Sequence, residues 1–117
     1  MDITWTEQNR FLIVRIDGEI DHHNTDTIRA AVDKAFERTK ARHIIFDMAR
    51  VGFMDSSGIG MLIGRYRAAE SMGGKVFAVG IQKPLRRLFD LAGLAKIIAC
   101  FDTSESAMAA EGGNKHA

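Results

Sequence analysis

Apolar positions along this chain follow two rhythms that take turns: short continuous runs, and sets spaced three or four residues apart. Phe11-Leu12-Ile13-Val14-Arg15-Ile16 is a β-branched run that ends at the turn signal Asp17-Gly18, and it reads as a strand. Ile3 to Thr6 reads as a shorter strand paired with it through a turn at Gln8-Asn9. Ile28, Val32, Ala35 and Phe36 then recur at helical spacing, with Asn24 as N-cap and Asp26 in the first turn. Arg29, Asp33, Lys34 and Glu37 fall outside that face. His43 to Met48 suits a buried strand. Ile59, Leu62, Ile63 and Tyr66 give one face of a second helix, which stops near Gly73-Gly74. Lys75 to Val79 is another strand. Pro84 fits the first position of a third helix, with Leu85, Leu88 and Phe89 inward and Gly93 as its stop. Ile97-Ile98 adds a last short strand, and Ser104 caps a final helix carrying Ala107 and Met108.

Strands alternating with helices make the domain α/β, with a small sheet of four to five strands and about four helices. The first two strands lie too close in sequence for a crossover, so that pair is expected to be antiparallel and the sheet mixed. One domain is expected over 1–111, with 112–117 a flexible polar tail.

The length of 117 residues allows one core and little else. A net charge of +1 gives no electrostatic case for nucleic acid or a membrane as partner. Cys100 is the single cysteine, so no intrachain disulfide can form, and a reduced cytoplasmic setting is expected. The opening residues carry no basic region followed by an apolar run, so no signal peptide is expected. No run approaches ~20 apolar residues, the length a spanning helix needs.

The chemistry concentrates at Phe53-Met54-Asp55-Ser56-Ser57-Gly58-Ile59-Gly60. Ser56 and Ser57 stand where a loop gives way to an amphipathic helix, and Ser56 is placed at the N-cap. A helix start offers unpaired N–H groups and partial positive charge, so a phosphate attached there is accommodated. Ser56 is therefore either a simple cap or a charge switch. A second face of the same helix holds Ser57, Gly60, Met61, Gly64 and Ala68. Two glycines inside a helix cost about 1 kcal/mol each relative to alanine, which calls for a reason. Either another part of the chain crosses closely there, or a partner docks on it with Met61 as an adaptable contact.

Asp21-His22-His23 reads as a loop held by Asp21, since adjacent histidines diverge and no metal-ligand spacing links them to His43 or His116. No cofactor or metal is expected. Gly58-x-Gly60-x-x-x-Gly64 departs from the dinucleotide fingerprint. The preceding strand is moreover expected to end near Met48, about ten residues earlier. A nucleotide-binding module built on Gly58 to Gly64 remains the rival from another class. No catalytic triad or nucleophile elbow appears, so no enzyme is expected.

The serine motif, Gly18-Glu19-Ile20-Asp21-His22-His23 before it and Lys83-Pro84-Leu85-Arg86-Arg87-Leu88-Phe89 after it resemble the STAS domains of bacterial anti-sigma factor antagonists, nearest those of the sporulation sigma-F pathway. The resemblance runs from about Ile13 to Ala109. It implies a monomeric cytoplasmic antagonist that binds an anti-sigma factor serine kinase, is switched off by phosphorylation of Ser56, and is reset by a serine phosphatase. It implies a partner surface of Glu19, Asp21, His22, Asp55, Ser56, Ser57, Gly58, Met61 and Arg65. An antagonist of a stress-response sigma factor is the alternative within the family.

Overall fold

The chain folds around a five-stranded sheet in which the strands follow one another in sequence order. The structure is a computed structural model that describes residues 1–115, with side chains described through Gly112. β1 (Asp2–Gln8) turns back on β2 (Phe11–Ile20), and the two pair antiparallel. The turn residues Asn9 and Arg10 have φ of 53° and 70°, the geometry of a tight two-residue hairpin. Arg10 thus occupies a position that glycine usually fills, at a cost of about 1 kcal/mol.

β3 (His43–Met54), β4 (Val76–Val79) and β5 (Ala99–Phe101) then join in parallel. The crossovers are α1 (Thr25–Arg38), α2 (Ser56–Ser71) and α3 (Lys83–Leu91), the last followed by a short 3-10 turn at Leu94–Lys96. α4 (Ser104–Lys115) closes the chain. Since each new strand is added on the same side, crossovers of one hand put their helices on one face. Leu12, Val14 and Ile16 of β2 and Ile44, Phe46 and Met48 of β3 accordingly share a core with residues of α1, α2 and α3. Phe11, Ile45, Phe77 and Val79 point the other way and pack with Ala107 of α4. Both faces are covered, which is why these strands read as nearly continuous apolar runs. Each fully buried Leu, Ile or Phe in this core contributes about 1.5–3 kcal/mol.

Several boundaries differ from the sequence reading: β1 spans Asp2–Gln8 with its turn at Asn9 and Arg10 and not Gln8-Asn9, and α3 starts at Lys83, one residue before Pro84. β3 runs to Met54, not Met48, because β2 continues to pair with it through Ile20 opposite Met54. Register shifts between Arg15 and Asp17 and between Gly18 and Glu19 break the alternation there, which hides the extension in the sequence. Gly18 absorbs part of that irregularity with φ of 135°. The last strand is Ala99–Phe101, while Ile98 enters the core and Ile97 is exposed. Thr103, not Ser104, caps α4: its Oγ1 accepts from the Ser106 N–H at 3.1 Å. α4 continues through Gly112 to Lys115, past the expected start of a tail; residues 116 and 117 lie outside the described residues.

Candidate functional site

The C-terminal ends of β2 and β3 finish side by side, with the Asp55 N–H donating to the Ile20 carbonyl at 3.1 Å. Two loops therefore start together, one leading into α1 and the other directly into α2. Asp55, and not Ser56, is the N-cap of α2. Its Oδ1 accepts from the N–H groups of Ser57 at 2.9 Å and Gly58 at 3.3 Å. Its Oδ2 accepts from the His22 N–H at 3.1 Å, and the His22 Nδ1 lies 3.5 Å away. The β-extended backbone of Asp55 and its short carboxylate suit the cap better than a hydroxyl, because one carboxylate can serve several donors.

Burial pushes the Asp55 carboxyl up, but the N–H groups of His22, Gly58 and Ser57 and the His22 side chain outweigh it and hold it below the usual carboxylate range. The loop before α1 is braced separately. Asp21 Oδ1 accepts from the His23 N–H, and Asn24 Oδ1 accepts from the Asp21 N–H. The Asn24 amide donates to the Glu19 carbonyl. Asn24 does sit at the N-cap of α1, yet its side chain holds this loop and caps nothing. The rings of His22 and His23 do not diverge as expected: they lie with centroids 3.9 Å apart, tilted by 38°.

Ser56 is the first residue of α2 and is exposed, whereas Ser57 is half-buried. No hydrogen bond within the described residues engages either hydroxyl. Glu19, His22 and Ser56 are exposed together at this edge, with Asp21 and Asp55 half-buried between them. Phe53 stands opposite Glu19 in the ladder and is 49% exposed. It is missing from the expected contact set, although alternation with the buried Met54 would have turned it outward.

Three expected contacts lie elsewhere. Met61 is only 3% exposed and packs in the main core, so it is no surface contact. Gly58 is buried as well: a Cβ there would stand 2.4 Å from Met54 Cγ and 2.9 Å from Ile20 Cγ2. Its role is to let the start of α2 lie against the ends of both strands. Arg65 turns inward, its side chain 13% exposed, and pairs with Asp33 of α1. Helical spacing placed Met61 on the open face and the family resemblance implied Arg65 as a contact, but α2 is rolled so that Met61 enters the core and Arg65 turns to α1.

The remaining small residues of that face are open. A Cβ at Gly60 or Gly64 would meet nothing within 4 Å, so no part of the described chain crosses there. Both glycines lie inside α2, where their N–H groups belong to the helix and form no phosphate cradle. The strand does lead directly into this helix, contrary to expectation, but the spacing is still not that of the fingerprint. His43 lies at the opposite end of β3 from His22, is buried, and accepts from the Lys75 N–H at 3.0 Å through Nδ1. Among the described residues no three His, Cys, Asp or Glu side chains come together as a metal site; His116 lies outside them. No helix among them is long and apolar enough to cross a membrane.

Known proteins place this architecture. The family model of the STAS domain matches residues 2–107. The chain belongs to the STAS domain family. Among its relatives, an anti-sigma F factor antagonist of Paenibacillus polymyxa is 39% identical over 97 residues, covering 83% of each chain. Another, from Lysinibacillus sphaericus, is 34% identical over 83 residues, 71% of each. Among solved structures, the anti-sigma factor antagonist SpoIIAA in its unphosphorylated form is similar with a TM-score of 0.72 and 27% identity, over 94% of this chain and 96% of that one. The phosphorylated form, from Bacillus, gives 0.70 and 30%, over 92% and 96%.

Two outcomes test this geometry. Met61→Ala in this STAS domain should cost about 2–5 kcal/mol in urea unfolding, the range for a buried methionine; a cost under 0.5 kcal/mol would return Met61 to the surface. Asp55 has a folded-state pKa below its unfolded one. Its contribution is thus present above the unfolded value and lost as pH falls through the folded value. Asp55→Asn, which keeps a capping oxygen, should show a shallower loss of melting temperature between pH 7 and pH 3 than the parent.

Proposed function

We propose that this STAS domain is an anti-sigma factor antagonist of the sigma-F type, switched by phosphorylation of Ser56. The observation that carries the reading is the exposed Ser56 hydroxyl at the first turn of α2, beside a fixed Asp55 carboxylate. The relatives support it: those named anti-sigma F factor antagonists reach 39% identity, and SpoIIAA has been solved in both unphosphorylated and phosphorylated forms. The alternative within the family is weaker, since an anti-sigma-B factor antagonist of Staphylococcus aureus is 24% identical.

In this reading the unphosphorylated domain, a monomer in the cytoplasm, binds an anti-sigma factor that is also a serine kinase, and the sigma factor is released. Glu19, Asp21, His22 and Asp55 form the fixed edge of the docking surface, with Ser56, Ser57 and Phe53 beside them. The Ser56 oxygen takes the γ-phosphoryl group of the kinase's ATP, the bond to the β–γ bridging oxygen breaks, ADP leaves and the hydroxyl proton is released. The domain is the substrate and has no activity or cofactor of its own. The new phosphate carries about −1.5 to −2 charges. The N-terminus of α2 tolerates it, and the Asp55 cap stays in place. The fold is retained while the docking edge becomes strongly anionic. A loss of about 3 kcal/mol at that interface lowers affinity more than a hundredfold. A serine phosphatase resets the switch.

Ser56 is preferred to Ser57 because it is exposed while Ser57 is half-buried, and because it follows the capping aspartate directly. With the candidate kinase and ATP, phosphopeptide mapping should place the group on Ser56. Ser56→Ala should hold the anti-sigma factor persistently, and Ser56→Asp should bind it poorly. Phosphate on Ser57, or normal labelling of Ser56→Ala, would move the switch.

The open glycines yield a second outcome. Gly60→Ala with Gly64→Ala should raise stability by about 1 kcal/mol or more in total, since both sit inside a helix with free space around them. If the kinase's backbone approaches this face closely, the same variant binds it more weakly. Unchanged affinity by calorimetry would remove the face from the docking surface.

A further inference from the structure

The sheet has a second charged end, at the N-terminal ends of β2 and β3, away from Ser56. The hairpin residue Arg10 accepts there, through its carbonyl, from the N–H groups of Arg42 at 2.7 Å and His43 at 3.2 Å. The hairpin tip and the start of β3 are therefore fixed together. Gly74 presses on the same point, since a Cβ there would stand 1.8 Å from the Arg42 carbonyl oxygen. Between these segments and the ends of α1 and α2 lies a groove of about 440 Å³.

Its wall carries three cations, Arg10, Lys40 and Arg42, all exposed. Among the described residues none of the three has an ion-pair or side-chain hydrogen-bond partner. Arg15, Arg29, Arg50, Arg65, Lys75 and Arg86 are each paired with an acid, and of the other unpaired cations among the described residues none lines this groove. The ends of the helices do not claim the groove cations. Arg38 occupies the last turn of α1, and the N–H groups of Met72, Gly73 and Gly74 satisfy carbonyls at the end of α2. Glu37 is the one acid in the lining. The floor is apolar: Phe36, Ala41 and Met72, with Met72 62% exposed. Arg10 also keeps its place at a positive-φ turn position where glycine would be unstrained.

We propose that this groove receives an acidic segment of a partner protein, anchored by an apolar side chain against Phe36 and Met72. Charge complementarity selects an acidic occupant, and the apolar floor selects a peptide. A free phosphate would leave the floor uncovered, and a bilayer surface cannot enter a concave site. The groove and the serine edge lie at opposite ends of β3, so both can be occupied at once and the state of Ser56 does not gate this contact.

The probe is a fluorescein-labelled acidic peptide, Asp-Glu-Leu-Glu-Glu-Phe-Asp-Glu, titrated into the intact chain. Amide shifts in NMR are expected to cluster at 36–42 and 72–74. Affinity should fall about tenfold or more in Arg42→Glu, with Lys40→Glu as a second variant whose backbone holds no other element, and should weaken with added salt. Ser56→Asp should bind the peptide as the parent does, which separates this contact from the switch. The proposal is overturned by no saturable binding, by shifts elsewhere, or by full affinity in both charge-reversed variants. Equal binding of a peptide with Gly in place of Leu and Phe overturns it too, as does preference for anionic vesicles, inorganic phosphate or self-association of the chain.

Discussion

One carboxylate holds the working edge of this domain together. Asp55 accepts N–H groups from its own helix and from His22, a residue that β2 delivers from the far side of the crossover through α1. Without that joint the loop before α1 and the start of α2 would be two independent segments. With it they form one surface, and under the proposed switch a charge added at Ser56 would change what that surface presents more than where it lies. The proposed switch would then be read as electrostatics at a fixed place.

The fold was legible wherever one rhythm of apolar residues persisted. The runs Phe11 to Ile16, His43 to Met48 and Val76 to Val79 are buried except at Ile13, Arg15 and Asp47, so a covered strand satisfies them. The Ile28, Val32 and Ala35 set likewise marks the buried stripe of α1. The failures fall where pairing geometry overrides pattern. Residues Ala49 to Met54 carry no clean alternation, because β2 slips in register beside them, and only the partner strand reveals the extension.

The site was legible as a place and less so as a set of contacts. Asp55, Ser56, Asp21 and His22 do converge, since all belong to two loops at one end of a parallel pair. The assignment of the cap went to the wrong neighbour because Ser and Asp are nearly equivalent N-caps in isolation. What separates them is His22, a donor distant in sequence that only a carboxylate serves together with the helix. Met61 and Arg65 were misplaced for a related reason. α2 has polar, small and apolar residues interleaved, so its roll is fixed by Asp33 and by the core and not by its own periodicity.

The strand order has a consequence for what kind of object this edge can recognise. In most open α/β sheets the order reverses once, and the two helices diverging at that point leave a crevice for a small molecule. Here the order advances from β1 to β5 without reversing, and α1, α2 and α3 share one face. No fork opens at the carboxyl edge. Such an edge offers breadth without depth, a shelf shaped for the broad contact that the proposed protein partner would make.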